Sequence, residues 1–530
     1  MTDDSPHYIG VDVGTGSVRA GLVSTSGLVV SQAVREISRL SPAPLQYVQS
    51  SSEIWAAVRS VVRSVLAQSG VSASEVRGLG LAGTCSLVVA GQEMADTPGY
   101  DIIMWMDHRA EQEADIINQT NHPLLDYVGG GVSLEMQLPK LLWLKRHQPA
   151  VFSSGCQFYD LPDWLVFRAT GQDVRSLCSA VCKWNYGVER DGRLTGWNKD
   201  FLSSIGLSEL CEADHARIGS RVEAPGEAVG TGLSEAAALE LGLVAGTAVS
   251  TSLIDAHAGA LGMLGCSGGE VEGRLGLITG TSTCHLLLSP RPLLVPGVWG
   301  PFLSAILPGL WLMEGGQSST GGLIDHVISS HRNYGEVREE AARRGCSVYT
   351  LLEERLEQEG MDTTRDLHVY PDYHGNRSPL AEPSMKGAVV GLTLQTDLPA
   401  IYLATIQAVC YGTRHVIETI TARGHSVTGT TVCGGITNSR LFLQTQADVL
   451  QLEVAVPQEK ESVLLGAAML GMAASGDKGD LHQVVTQVNI GAEMVRPCSA
   501  MSAFHDAKYL VFREMIKDQV KYRNIMENSQ

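Results

Sequence analysis

Two short apolar runs, Tyr8 to Val13 and Val18 to Val23, stand on either side of the turn Gly14-Thr15-Gly16-Ser17. Runs of that length around a glycine-rich turn predict two strands of a hairpin, and a further arm is expected after Gly27. Ile54 to Leu66 (IWAAVRSVVRSVL) has apolar residues three and four apart, the pattern of a helix that buries one face. Leu79 to Leu81 and Leu87 to Ala90 return to strand. Ser234 to Leu241 predicts a helix opened by a Ser N-cap and closed by Gly242. Strand and helix signals alternate in this way almost throughout, which predicts an α/β fold.

The pattern also repeats. YIGVDVGTGSVRAGLV at the start is echoed by RLGLITGTSTCHLLL in the middle. Each copy has an apolar strand, a Gly-Thr turn followed by small residues, and a second apolar strand. Gly14 and Gly280 lie 280 − 14 = 266 positions apart, close to half of the 530 residues. Turns of this type occur in ordinary hairpins, but two copies at half-chain spacing predict two related α/β domains facing one another across a cleft. The boundary is expected near residues 250 to 270, with an N-terminal domain over 1–262 and a C-terminal domain over 263–485. A helical tail over 486–530, carrying AFHDAKYLVFREMIKDQVKYR, is expected to pack on one of them.

Composition narrows the function. At 530 residues, with 44% hydrophobic and 18% charged, the chain is globular and long enough for two or three domains. A net charge of −18 without a Lys/Arg cluster speaks against a nucleic-acid partner. It leaves room for a local nucleotide pocket, where backbone N–H groups and a metal ion hold the anion. The 11 cysteines contain no CxxC, and the closest pair, Cys178 and Cys182, reads as core packing. Scattered thiols suit a reducing compartment. The acidic start MTDDSPHYIG lacks the features of a signal peptide, and no apolar run approaches the ~18 residues of a membrane helix. A cytoplasmic protein with no membrane partner is expected, and a homodimer is left open.

Phosphoryl transfer asks a protein to hold phosphates, neutralise their charge with a metal, and relieve the attacking hydroxyl of its proton. Turns rich in Gly, Ser and Thr suit the first task. Asp12, just before Gly14, is a candidate to hold Mg²⁺ through water, because that ion prefers oxygen ligands and keeps part of its hydration. Residues 432–450, VCGGITNSRLFLQTQADVL, read as a buried strand ending at Gly434-Gly435 and a helix starting at Asn438 or Ser439. The glycine pair lets a flat ligand such as adenine lie on the backbone, or serves only as a β–α turn. Asp255, in SLIDAHAGALG, is placed to act as a general base or as a helix N-cap. No GxxxxGK[ST] occurs, so the chain is not a P-loop enzyme. Gly78 to Gly83 matches GxGxxG, but a strand-like run follows it where a dinucleotide turn would open a helix.

The ordered set IGVDVGTGSVRAG, MWMDHRA, IDAHAGALG, GLITGTSTCHL and VCGGITNSRLFLQTQADVL resembles the FGGY carbohydrate kinases, over about Tyr8 to Ser475. The resemblance implies two actin-like (ribonuclease H-like) ATPase domains, with ATP and Mg²⁺ in a cleft that closes on the sugar. It implies that Asp255 is the catalytic base, with Asp12 and Asp255 as the residues toward the metal. Asp12, Gly14, Thr15, Gly16, Ser17, Gly280, Thr281 and Ser282 then hold the phosphates, and Gly434, Gly435 and Asn438 the adenosine. Within the family, the run Thr84-Cys85-Ser86-Leu87-Val88 looks like the D-ribulokinase subgroup, and IDAHAG and EGGQS resemble ribulokinases. A ketopentose phosphorylated at its terminal O5, D-ribulose to D-ribulose 5-phosphate, is therefore expected. Thr84, Ser86, Asp107, Arg109, Lys183, Glu314 and Gln317 are candidates for the hydroxyls, since fixed donors and acceptors discriminate among polyols. Asp107 and Arg109 also read as a surface ion pair. Trp184 would cover the sugar's carbon face or fill the core, and His257 reads as a buried histidine satisfied by backbone. Asn376 to Pro379 matches a family loop near the cleft, with no assigned role. L-ribulose, ribitol and D-xylulose remain alternative substrates, and an actin- or chaperone-like ATPase or a non-catalytic sugar sensor are the alternatives of another class.

Overall fold

A computed structural model describes residues 6–266, 271–359 and 361–528. Residues 1–5 of the acidic start, and 267–270 of the expected boundary region, lie outside the described residues. Among the described residues no helix is long and apolar enough to cross a membrane.

The first sheet is built from β1 (His7–Val13), β2 (Ser17–Ser24), β3 (Val29–Glu36), β4 (Val76–Gly83), β5 (Ala248–Val249) and β6 (Leu253–Ile254). β1 and β2 pair antiparallel, as do β2 and β3. β4 runs parallel to β1 on its other side, and β5 and β6 run parallel to β4. Helices cover both faces around β1, so it carries the nearly continuous apolar run typical of a buried strand. Helix α1 (Ser51–Ser69) lays Ile54, Trp55, Val58, Val61, Val62 and Val65 against this sheet and ends at Gly70 in the left-handed region.

The second sheet contains β7 (Arg274–Thr279), β8 (Thr283–Ser289), β9 (Trp299–Leu303), β10 (Trp311–Gln317), β11 (Gly429–Gly434), β12 (Val454–Pro457) and β13 (Ala492–Val495). Its order is β9-β10-β8-β7-β11-β12-β13. The inner five, β10-β8-β7-β11-β12, reproduce β3-β2-β1-β4-β5 strand for strand and sense for sense. The repeated GT-turn is thus the visible part of a duplicated fold. This is the actin-like arrangement implied by the resemblance. The expected helical tail over 486–530 also contains a strand, β13, which pairs antiparallel with β12, Val495 buried and Glu493 exposed. The long terminal helix, Ser502–Glu527, does form, and packs Tyr509, Phe512 and Met515 into the second half.

Five further helices matter for the site: α2 (Leu177–Lys183), α3 (Asp255–Met263), α4 (Leu398–Ala422), α5 (Ser462–Ser475) and α6 (Ser502–Glu527). α5, late in the sequence, lies on β1 and β4 of the first sheet and crosses α3, which in turn touches β7 of the second. The crossing depends on backbone meeting backbone. A Cβ on Gly80 would enter the carbonyl of Ala467, one on Gly78 that of Gly471, and one on Gly262 that of Ser462. The GxGxxG match is therefore a strand that a helix approaches too closely for side chains.

Candidate active site

The two matched turns are held from outside and open on one side. Gly14 donates its N–H to Ser17 O at 2.9 Å. Gln49 Nε2 donates to Thr15 O, and Trp105 Nε1 donates to Thr15 Oγ1, both at 3.0 Å. A Cβ on Gly16 would meet nothing within 4 Å, so an anion can approach the backbone there. In the second turn Gly280 donates to Ser282 O at 2.8 Å, while Thr281 O accepts from the N–H groups of Thr320 and Gly322 at 2.8 and 3.1 Å. Gly280 and Thr281 are exposed and Ser282 half-buried.

Asp255 is the first residue of α3, delivered by β6, and accepts the N–H of Ala256 on Oδ1 at 2.7 Å. Burial raises its pKa, opposed by the Ala256 N–H and by the charges of His257, Lys183 and Arg19. Asp12 is 1% exposed and takes a 2.6 Å hydrogen bond from Arg19 Nη2 on Oδ2. Burial pushes the Asp12 carboxyl up to about 6, the attraction of Arg19 holding it down and the charge of Asp255 adding to the rise. Asp12 and Asp255 thus lie within one another's field. Asp12 Oδ1 is buried without a partner in the chain. A buried, partnerless carboxylate oxygen within the field of a second carboxylate is a donor set that fits a hydrated Mg²⁺.

Side-chain contacts link the two turns. Arg19 also pairs with Glu461 at 3.3 Å. The next residue, Ser462, lies beside the Cys433 thiol, and the Cys433 carbonyl accepts from Thr279 Oγ1 beside Gly280. β11 then ends at Gly434, where φ is +96° and a Cβ would enter the Thr279 carbonyl, so glycine alone fits. A Cβ on Gly435 would meet nothing within 4 Å, leaving a flat open backbone face, and Asn438 folds its Nδ2 onto Gly435 O at 3.1 Å. Of the two helix starts read in the sequence, Ser439 is the cap, accepting from Phe442 N at 3.0 Å.

Beside Asp255 lies a buried charge network that joins the two halves. Lys183 Nζ is 3.6 Å from Glu314 Oε1 and 4.0 Å from Glu135 Oε2. Arg377 Nη2 reaches the same two oxygens at 3.2 and 3.4 Å. Lys183 and Arg377 both sit 4.6 Å from the centre of the Trp299 ring. Burial opposes the charge on Glu314, but Lys183, His257 and Arg377 outweigh it and hold its pKa well below the carboxylate range. Glu314 does the reverse to Lys183, whose pKa is raised against the effect of burial. His257 Nε2 is 3.5 Å from Glu314 Oε2, and its Nδ1 has no hydrogen-bond partner, so it is not the backbone-satisfied histidine expected.

Several sugar-pocket expectations change. Asp107 and Arg109 are not a surface pair. They form a buried pair at 2.8 Å, 0% and 1% exposed at the side chain, and Asp107 also accepts from Tyr47 N. This leaves the pair a structural clamp for its loop. Thr84 and Ser86 are buried and bonded to one another at 3.0 Å, and Ser86 Oγ accepts from Trp105 N at 3.2 Å. The TCSLV run therefore reaches the first turn through Trp105. Gln317 donates its Nε2 to Val409 O and Thr413 Oγ1, and its Oε1 is buried without a partner. Trp184 is core, donating to Asp160 Oδ2 at 2.9 Å. Arg19, Glu135 and Trp299 were not legible as site residues, and Arg377 was noted without a role. The signal for Arg19 was an arginine inside an apolar strand; Glu135 carried none.

A family model described as the FGGY family of carbohydrate kinases, N-terminal domain, matches residues 7–262, and its C-terminal counterpart matches 275–475. A protein of Danio rerio described as FGGY carbohydrate kinase domain-containing is 46% identical, over 98% of this chain and 99% of its own. A D-ribulokinase of Saccharomyces cerevisiae is 40% identical, over 89% of this chain and 72% of its own. The crystal structure of xylulose kinase from Rhodospirillum rubrum shares the fold with a TM-score of 0.81 at 22% identity, covering 97% of this chain and 99% of that one.

Proposed function

The chain belongs to the FGGY family of carbohydrate kinases and is an ATP-dependent sugar kinase, and we propose that it phosphorylates the terminal O5 of D-ribulose with Asp255 as general base. The base assignment rests on one observation: Asp255 opens α3 within the electrostatic reach of Asp12, Arg19, Lys183 and His257. D-ribulose is supported by the 40% identity to the yeast D-ribulokinase. The proposed division remains 1–262 for the sugar-binding half and 263–485 for the nucleotide-binding half.

Asp255 takes the proton of the O5 hydroxyl as that oxygen attacks the terminal phosphorus of ATP. Its raised pKa makes it a better proton acceptor than a solvated carboxylate. The backbone at Gly14–Ser17 and Gly280–Ser282 donates to phosphate oxygens. Gly434, Gly435 and Asn438 offer the open face for adenosine. Mg²⁺, when bound, neutralises phosphate charge, and Asp12 and Asp255 are the residues that hold it. Lys183 and Glu314 meet the sugar hydroxyls, with Arg377 and Trp299 behind them.

The test is a panel of D-ribulose, L-ribulose, ribitol and D-xylulose, with kcat/KM measured for each, repeated with Asp255→Ala. D-ribulose should lead the panel, and the variant should lose turnover while still binding ATP. Retention of most activity by Asp255→Ala removes the base assignment. Preference for another member of the panel removes D-ribulose.

A further inference from the structure

Cys178 and Cys182 lie one helical turn apart on α2, both completely buried, and α3 brings His257 against them. The ligand atoms of the three side chains lie within 4.8 Å of one another. Cys182 Sγ is 3.8 Å from His257 Nε2, and Glu314 Oε2 is 3.5 Å from the same nitrogen. Tetrahedral zinc, with bonds of about 2.3 Å to sulfur and 2.0 Å to nitrogen, holds neighbouring ligand atoms about 3.5–3.8 Å apart. The Cys182–His257 spacing therefore already suits a shared ion, whereas Glu314, outside the group of three, has to move toward the sulfurs to join it. Glu314 Oε2 borders the cluster at His257, buried and without a hydrogen-bond partner. A cation among these four groups would satisfy that oxygen.

We propose that Cys178, Cys182 and His257, completed by Glu314, form a site for a thiophilic divalent cation of the Zn²⁺ class, and that filling it switches the kinase off. The consequence for catalysis rests on the sugar-pocket reading given above. Occupation draws Glu314 away from Lys183 and Arg377, and it clamps α2 in the first half to β10 in the second. Both effects oppose the opening and rearrangement that sugar entry needs. The ion displaces thiol protons, and the Lys183 ammonium, 3.6 Å from the other oxygen of Glu314, resists the added charge. Binding is therefore reversible, unlike that of a structural zinc that a fold never releases.

Co²⁺ serves as the probe, because thiolate ligation gives it a sulfur-to-metal charge-transfer absorption. The reduced full-length protein should bind one such ion per chain, displaced by Zn²⁺. A Cys156→Ser control should behave identically, and the double variant Cys178→Ser/Cys182→Ser should show no such band. In the presence of excess MgATP and sugar, Zn²⁺ should depress wild-type turnover at least tenfold relative to the double variant, whose basal turnover matches wild type. Should the double variant not fold, Cys178→Ser alone should weaken Co²⁺ binding by about tenfold or more, and unchanged affinity overturns the site. Absence of the band, or its survival in the double variant, also overturns the site. Full occupancy with undiminished turnover overturns the switch. If no sugar supports turnover, the spectrum still reports on the site, so failure of the kinase reading is distinguishable.

Discussion

Glu314→Gln tests the buried network most severely. The side chain is 3% exposed and faces Lys183 at 3.6 Å, Arg377 at 3.2 Å and His257 at 3.5 Å. The substitution keeps the shape and removes the charge. Lys183, 2% exposed, would then rely on Glu135 at 4.0 Å, and Arg377 on the same carboxylate at 3.4 Å. Stranding one side of a buried pair destabilises by about 3–5 kcal/mol. Lys183→Met should be milder, about 1–3 kcal/mol, because Glu314 keeps Arg377 and His257 as partners. The double variant should recover part of the Glu314→Gln loss, since one stranded cation is gone. The assay is thermal and urea unfolding of the ligand-free protein, with all variants in the same scans so that midpoints compare directly. Glu314→Gln matching wild-type stability, or Lys183→Met proving the more damaging, would refute the reasoning.

Asp12→Asn removes a carboxyl whose pKa is raised by burial from 3.8 to about 6, a difference worth about 3 kcal/mol. The folded state holds that proton more tightly than the unfolded chain. Wild-type stability relative to the variant should therefore fall as pH rises from about 4 to about 6 and then level off, measured by melting in EDTA; a relative rise with pH contradicts this. Gly80→Ala puts a methyl into the Ala467 carbonyl and should destabilise by at least the roughly 1–3 kcal/mol of core overpacking, read as the loss of melting temperature. An unchanged midpoint would mean that α5 does not press on β4. Trp105→Phe deletes the donor to Thr15 Oγ1, a hydrogen bond of about 1 kcal/mol, and should weaken ATP binding about fivefold by calorimetry with little change in melting temperature.

The sequence made the fold legible because duplication writes the same local physics twice. An apolar strand, a glycine turn and a second strand are short-range features, and each copy was visible around Gly14 and Gly280. The candidate site could be read in the sequence only where its proposed residues belong to such local features: the two turns, Gly434 beside Gly435, and Asp255 at a strand-to-helix junction. The charge network was not, because Glu135, Lys183, Glu314 and Arg377 are far apart in the chain and become neighbours only when the two halves close on one another. The surface-pair reading of Asp107 and Arg109 failed for the opposite reason. Two charges two residues apart look available in a sequence, and only packing reveals that they have consumed one another's valences in a buried clamp. Gly78 and Gly80 make the same point in backbone terms, since their lack of side chains answers to a helix nearly 390 residues further along the chain. What local patterning conceals here is the interface between the halves, where the charges of Lys183, Glu314, Glu135 and Arg377 meet.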